Sequence, residues 1–369
     1  MENNATCHDW ITELSGSIAF SHTLSLALGQ CRIDVRTNSA DLEKDLVEYF
    51  KPFMCIPGSR PADITVTALE GDPVRAPFPL TVKQPDPGKT KIKEEYHDFS
   101  DGRAVHKRLT SMLFFFNESE NLAIGPCLAN SNQVINFVNN RFIGWMLVRG
   151  SLLGHAAAVK KNGRGLAFAG FSGMGKSTLA LHLMSRGTTF VSNDRLLVHA
   201  HPGRLTMEGV AKLPRINPGT ALNNPDLGTI LSDEDRDRFS ALKMEELWHL
   251  EHKYDVPIES CFGPGRFELE SPMHGLVLLN WKHDQTPMQA GLVNLAERRD
   301  LLPAFMKSAG LFFLPGDRAD ELDFSEEAYI DLLRECPVLE LSGGVDFDGA
   351  ADICLEFLDT GNLPESVQR

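Results

Sequence analysis

Long apolar runs are missing from this sequence, and no stretch approaches the 18 consecutive apolar residues of a membrane-spanning helix. The first residues also lack a basic segment followed by an apolar one, so we expect neither an export signal nor a membrane span. Positive charge is scarce, because 36 Lys and Arg residues stand against 50 Asp and Glu residues, a formal net charge of −14. This charge repels phosphate backbones and anionic headgroups, which makes nucleic acid and membrane surfaces poor partners.

Metal-ligand spacing is also missing from the cysteines. The seven Cys residues form neither CxxC nor Cys/His patterns, and their odd number leaves one unpaired. We therefore expect a cytoplasmic protein in a reducing compartment. Hydrophobic residues make up 42% and charged residues 23% of the 369 residues, close to globular averages. At about 100 to 200 residues per domain, the chain is long enough for two domains.

Residues 1–130 are predicted as a smaller N-terminal α+β domain. Two turn sequences, Gly29-Gln30 and Asp101-Gly102, each lie between strand-forming stretches and predict hairpins. The second hairpin is expected to join residues 91–99 to one long apolar strand over residues 103–116.

The rest of the chain is predicted as a connecting helix over 131–150 and a catalytic domain over 151–369. In the catalytic domain, Asn162-Gly163 between two apolar strands is a strong signal for a two-residue hairpin. That turn places His155 opposite Gly170. By spacing alone, His155 is more simply a strand-end residue that hydrogen-bonds the neighbouring loop.

The stretch from residue 170 to 178 matches G-x-x-x-x-G-K-[ST], between an apolar strand at 166–169 and a helix-forming run at 179–184. Glycines let backbone N–H groups surround a phosphate, and a helix N-terminus adds partial positive charge. Lys176 is expected to reach the β and γ phosphates, and Ser177 to offer an oxygen to Mg²⁺. The predicted nucleotide-binding residues are Gly170, Ser172, Gly173, Met174, Gly175, Lys176, Ser177 and Thr178.

An acid follows the next predicted strand, residues 188–192, which ends before Asn193 and Asp194. An acid at the carboxyl end of a strand adjacent to a phosphate loop is placed to be a Mg²⁺ ligand or a general base. The alternative is an Asn-Asp pair that only forms a turn. The later strand, 276–279, ends in Asn280 and offers no acid, which favours Asp194.

Together, Gly154-His155, the hairpin, the phosphate-loop sequence, Arg186-Gly187 and Val191-Ser192-Asn193-Asp194 resemble the catalytic domain of HPr kinase/phosphorylase. More narrowly, the chain resembles the bacterial kinases called HprK-related kinase B, over about residues 150–200. The resemblance implies a P-loop fold of the phosphoenolpyruvate-carboxykinase-like kind, with Mg·ATP at the loop. It also implies that Lys176 and Ser177 keep their nucleotide and Mg²⁺ roles, that Asp194 acts on the acceptor hydroxyl, and that His155 lies nearby.

The resemblance is incomplete at two places. HPr kinases have an Asp-Asp pair where this chain has Asn193-Asp194, and their later arginine signature has only a loose echo at residues 213–219. The reverse phosphorylase reaction and the acceptor therefore stay open. Arg215 could bind an acceptor phosphate or cap its loop. Residues 248–255 are interpreted as structural, with substrate contact as the alternative.

The sequence therefore predicts an ATP- and Mg²⁺-dependent kinase that transfers the γ-phosphoryl group to the hydroxyl of a protein serine or a serine-like small molecule. One alternative is a small-metabolite P-loop kinase. Another is a nucleotide-binding regulatory protein without catalysis, which Asn193 in place of an acid would suit. Whether the chain forms a homo-oligomer stays open.

Overall fold

The computed structural model describes residues 5–58, 60–85, 90–243, 246–247, 250, 252–282 and 284–367. It shows a mixed α/β chain with several sheets. Two compact units are formed, one by residues 1–148 with 309–322 and the other by residues 149–308 with 323–369. Within the described residues, no helix has both the length and the apolar character to cross a bilayer. All seven cysteines are free thiols.

The first unit contains α1 (Cys7–Ser15), α2 (Ala40–Tyr49), α3 (Ser131–Leu147), 3₁₀ turns at Lys51–Phe53 and Gly316–Glu321, and strands β1 (His22–Leu28), β2 (Cys31–Thr37), β3 (Ile64–Glu70), β4 (Thr81–Val82), β5 (Glu94–Asp98), β6 (Gly102–Lys107), β7 (Met112–Asn117) and β8 (Asn121–Gly125). These strands form one eight-stranded sheet in the order β1-β2-β3-β8-β7-β6-β5-β4. The pair Leu28 and Cys31 closes the hairpin predicted at Gly29-Gln30.

The prediction of one long strand over residues 103–116 is wrong. Strands β6 and β7 are separate and antiparallel, and Lys107 pairs with Met112. The chain reverses between them because Thr110 donates its N–H to the carbonyl of Lys107 and Ser111 adopts a left-handed φ of 52°. A left-handed φ lies outside the extended region, so this residue interrupts the apolar stretch.

A segment from late in the chain completes the core of the first unit. The ring of Phe312 lies 5.6 to 5.8 Å from those of Phe114, Phe116 and Phe137. The Arg141 guanidinium donates to the Phe312 carbonyl at 2.9 Å. Helix α3, which carries Phe137 and Arg141, therefore packs inside this unit.

The second unit contains α4 (Lys176–Ser185), α5 (Pro218–Leu222), α6 (Asp233–Ser240), α7 (Ile258–Phe262), α8 (Glu326–Leu333), α9 (Phe347–Thr360), 3₁₀ turns at Pro225–Leu227 and Arg299–Ala304, and strands β9 (Leu152–Gly154), β10 (Ala156–Lys161), β11 (Arg164–Gly170), β12 (Thr189–Ser192), β13 (Leu196–His201), β14 (Arg204–Gly209), β15 (Arg215–Ile216), β16 (Tyr254–Asp255), β17 (Glu270–Pro272), β18 (Gly275–Leu279), β19 (Gln289–Leu292) and β20 (Val338–Ser342). A six-stranded sheet, β12-β10-β11-β18-β20-β19, and a four-stranded sheet, β17-β14-β13-β9, share one apolar core.

The strand directions bring several chain segments to one edge of the six-stranded sheet. Strands β11, β18 and β20 are parallel, and β10 runs antiparallel to both β11 and β12. The carboxyl ends of β11, β12, β18 and β20 therefore share an edge with the start of β10. Ligand sites of α/β sheets open at this kind of edge.

Candidate functional site

The phosphate-loop sequence forms the turn between β11 and α4. Gly173 and Gly175 have φ values of 87° and 85°, a left-handed conformation that glycine adopts without a steric penalty. A Cβ at Gly175 would lie 2.6 Å from the Phe347 ring, whereas a Cβ at Gly173 would meet nothing within 4 Å. Gly175 is therefore required by both conformation and packing, and Gly173 faces open space.

The N-terminus of α4 is open to an anion. The residue before the helix is Gly175, which has no side chain to cap the first turn, and that turn carries no acid. The first amides of a helix have no partner within the helix, and they bear partial positive charge. The Thr178 hydroxyl lies 3.0 Å from the Thr220 hydroxyl, while Ser172 is exposed and Met174 and Ser177 are half-buried.

Trp281 packs against the phosphate loop, a role that the sequence analysis missed. Its indole N–H donates to the Met174 carbonyl at 2.9 Å, and its ring packs edge-on against Phe347 at 5.0 Å. Trp281 is 2% exposed and follows β18 at the shared edge of the sheet. The available signal was a large aromatic residue two positions after a buried strand, next to Asn280.

Lys176 lies inside the loop and is 8% exposed. Its ammonium donates to the Gly170 carbonyl at 2.7 Å and to the Phe171 carbonyl at 3.4 Å. Burial lowers the pKa of Lys176 to about 8; the Asp194 carboxylate opposes this shift and the positive charge of Lys307 adds to it. Lys176, Asp194 and Lys307 are therefore close enough to influence one another's charge.

Asp194 follows β12, as expected, but β12 is not the strand next to the one that leads into the phosphate loop. Strand β12 is not adjacent to β11, because β10 lies between them. Asp194 still lies at the edge of the phosphate loop, since β12 and β11 are both antiparallel to β10 and so point the same way.

The Asp194 carboxylate meets three basic side chains. Oδ1 lies 3.1 Å from Nε2 of His155, and Oδ2 lies 3.3 Å from Nζ of Lys307 and 3.8 Å from Nε of Arg195. Burial raises the pKa of Asp194, but the hydrogen bond from His155 and the charges of Lys307, His155 and Arg195 outweigh it, so the pKa falls well below its usual range. Asp194 is therefore a carboxylate at any pH near neutrality.

His155 reaches Asp194 through the predicted hairpin. The β10–β11 register pairs Val159 with Leu166 and ends at Ala156 opposite Ala169, one step before His155 and Gly170. The backbone N–H of His155 donates to the Phe305 carbonyl at 2.5 Å, while its ring meets Asp194. The His155 ring therefore contacts the Asp194 carboxylate. The simpler interpretation from spacing, a strand-end histidine that hydrogen-bonds the neighbouring loop, does not describe this contact.

Lys307 is the site residue that no sequence motif marked. Its backbone is fixed, since its N–H donates to the Leu153 carbonyl at 3.1 Å and Met306 forms a β-bridge with Gly154. Phe305, two residues earlier, is buried in the core. Only tertiary pairing with β9 brings this lysine to Asp194, 113 positions away in sequence.

Arg215 lies in a short two-stranded ladder. It pairs with Asp255 across β15 and β16, and its Nε lies 3.3 Å from an Asp255 carboxylate oxygen. Both side chains are more than half exposed. Of residues 248–255, Trp248, His249 and Glu251 lie outside the described residues.

The oxygen donors near the loop fit Mg²⁺. Among the described residues, no group of three or more His, Cys, Asp or Glu side chains could hold a metal ion alone. Mg²⁺ bound with a nucleotide needs few protein ligands, because phosphates and water fill most positions. Ser177 and Asp194 offer a hydroxyl and a carboxylate. Asn193 adds a buried amide oxygen with no hydrogen-bond partner in the described part of the chain.

Comparison with known proteins gives little beyond this geometry. No protein-family model and no curated protein matches the chain. Among solved structures, the Hpr(Ser) kinase/phosphatase from Coxiella burnetii aligns with 57% of this chain and 88% of its own, at 11% sequence identity and a TM-score of 0.30. Similarity at this level does not define a shared fold, so the chemistry of the site depends on the residues described above.

Proposed function

We propose that this protein is a kinase that transfers the γ-phosphoryl group of Mg·ATP to a hydroxyl. One observation carries the proposal. A turn suited to anion binding, which holds Lys176, lies at the same sheet edge as the Asp194 carboxylate, and that carboxylate contacts His155 and Lys307. A phosphate donor and a hydroxyl acceptor need these two kinds of group side by side.

The nucleotide is assigned to the turn. The amides at the start of α4 and the open face of Gly173 would surround the phosphates, and Lys176 would leave the Gly170 carbonyl to contact the β and γ phosphates. Ser177, Asp194 and the amide oxygen of Asn193 are the groups assigned to Mg²⁺. When bound, Mg²⁺ neutralises charge that develops on the phosphates.

Asp194 is assigned to the acceptor. In the transfer, the acceptor oxygen forms a bond to the γ phosphorus, and the bond from that phosphorus to the bridging oxygen breaks. The bridging oxygen keeps the electron pair and leaves as part of ADP. The hydroxyl proton passes to Asp194 and then to water. Because its low pKa makes Asp194 a weak base, its main contribution is to orient the hydroxyl, which suits a loose transition state with late proton transfer.

Calorimetry and a phosphate-release assay test the proposal on the purified full chain. We expect Mg·ATP to bind and to be hydrolysed slowly, with water as acceptor, and EDTA to stop the release of phosphate. Binding without any turnover over a long incubation would favour the regulatory alternative. Absence of nucleotide binding would refute the assignment of the turn.

The affinity for Mg·ATP is expected to fall above about pH 8. Lys176 is protonated below its pKa of about 8, and a bound phosphate favours the protonated form, so nucleotide binding takes up a proton where Lys176 is neutral. Between pH 7 and pH 9 the charged fraction, and with it the affinity, should fall about tenfold. Calorimetric titrations at the two pH values measure this change.

Lys176→Arg is the matched control, because a guanidinium stays charged through this range. Its affinity should be flat between pH 7 and pH 9, whatever its absolute value. An equally flat profile for the unmodified protein would mean that the Lys176 ammonium does not contact the nucleotide.

A further inference from the structure

Positive charge is concentrated around Asp194 in a chain whose net charge is −14. Lys307 and Arg195 contact its carboxylate at 3.3 and 3.8 Å. Lys212 interacts electrostatically with both Asp194 and Arg195, and Lys176 interacts with Asp194 and Lys307. Among the described residues, four cations therefore lie around this carboxylate, with Lys212 also interacting with Asp255, and such a group of cations attracts an anionic ligand.

The nucleotide accounts for only part of this charge. Lys176 and the start of α4 lie at the phosphate turn, whereas Lys307 and Arg195 lie on the carboxylate assigned to the acceptor. The backbone of Lys307 is held by β9, so its position is set by the fold. Lys307 and Arg195 are thus two cations at the carboxylate that is assigned to the acceptor.

We propose that the acceptor is a small hydroxylated anion, a carboxylate or a phosphate ester, whose negative group binds Lys307 and Arg195 while its hydroxyl faces Asp194. This inference depends on the proposed kinase function and names its substrate class. Lys307 and Arg195 would then determine specificity, and Asp194 would select the hydroxyl.

The recessed position of the cations favours a small acceptor over a protein serine. The side chains of Lys307, Arg195 and His155 are 25%, 27% and 27% exposed, so they lie deeper than the Asp194 side chain, which is 44% exposed. The anionic group must also lie within a few bonds of the hydroxyl, because Lys307 and the hydroxyl would contact the same carboxylate. In an extended peptide, the side chains next to a serine point to the opposite face, away from this carboxylate.

Anion binding to the nucleotide-loaded protein tests the inference. The protein is first saturated with Mg²⁺ and a non-hydrolysable ATP analogue, which fills the phosphate turn. Inorganic phosphate, glycerate and neutral glycerol are then titrated by calorimetry. We expect phosphate or glycerate to bind and glycerol not to bind, and the tighter of the two anions distinguishes a phosphate ester from a carboxylate as the acceptor.

Lys307→Ala should weaken binding of the anion at least about tenfold, because one charge-assisted hydrogen bond is lost. Lys307→Arg should keep most of the affinity. Lys161→Ala is the matched control, since that lysine pairs with Asp359 at the far end of β10 and should leave anion binding unchanged.

The possible failures are distinguishable. If the analogue binds but neither anion does, or if Lys307→Ala binds them normally, the acceptor inference is overturned and the kinase proposal stands. The same holds if Lys307→Ala slows ATP hydrolysis with unchanged anion affinity, because Lys307 then acts on the transferred group. Phosphorylation of a serine peptide that does not depend on Lys307 also overturns it. Failure of the analogue itself to bind overturns both proposals.

Discussion

Replacement of Lys176 by Ala is expected to reduce Mg·ATP-dependent phosphoryl transfer by at least about a hundredfold, the usual effect of removing one preorganised donor from a developing negative charge. The lysine is 8% exposed and donates to the Gly170 carbonyl, so the alanine variant loses the ammonium that is held inside the turn. Phosphate release at saturating nucleotide, together with calorimetric affinity, measures the loss. Normal binding and turnover in this variant would contradict the assignment of the turn.

The thermal stability of a second Lys176 variant distinguishes a loss of activity from a loss of folding. Since burial lowers the pKa of Lys176 to about 8, the folded state disfavours its charge, and below pH 8 that unfavourable contribution is fully present. It diminishes as pH rises from about 8 toward the ordinary lysine value. Lys176→Met, which keeps the length of the side chain without the charge, should therefore unfold at the same or a higher temperature at pH 7 while lacking activity. A clear drop in melting temperature would show that the ammonium's hydrogen bond to the Gly170 carbonyl outweighs its burial.

Asp194→Asn is expected to slow transfer at least about a hundredfold while Mg·ATP affinity changes far less. Asparagine lacks the charged acceptor that orients the hydroxyl and takes its proton, and loss of a positioned proton acceptor costs about 10²-fold or more. Asparagine has the same size and turn propensity, and its amide oxygen can still accept from His155. A residue that only formed a turn would tolerate this change with nearly normal turnover.

The control for Asp194 is an acid that pairs with a lysine away from the turn. Asp359 pairs with Lys161 at 2.8 Å near the Asn162-Gly163 hairpin, and Asp359→Asn should keep both turnover and affinity. Equal losses in the two variants would indicate a general effect on folding. Near-normal turnover in Asp194→Asn would leave the chain without an identified group for the acceptor hydroxyl.

Local chemistry explains which features could be predicted. The Asn162-Gly163 turn sets the β10–β11 register by itself, because a two-residue hairpin fixes which residues face each other. The turn at residues 170–178 is likewise encoded by glycines that adopt positive φ next to a helix-forming run. His155 followed from that register, and Asp194 from the end of the next strand.

Non-local pairing explains what could not be predicted. Lys307 joins the site through a β-bridge between Met306 and Gly154, which no spacing in the sequence encodes. The order of strands in the six-stranded sheet, with β10 inserted between β11 and β12, also depends on tertiary pairing. The left-handed Ser111 divides an apolar stretch that hydrophobicity alone presents as continuous.

The contribution of residues 309–322 to the first unit has a consequence for synthesis on the ribosome. Phe312 packs among Phe114, Phe116 and Phe137, yet it is translated only after residues 149–308 of the second unit. At about 5 to 20 residues per second, the nascent first unit waits roughly 10 to 30 s for that side chain. During this interval Phe114, Phe116 and Phe137 have one another but lack the Phe312 ring, so apolar surface stays exposed on a nascent unit that does not yet contain all the residues of its own core.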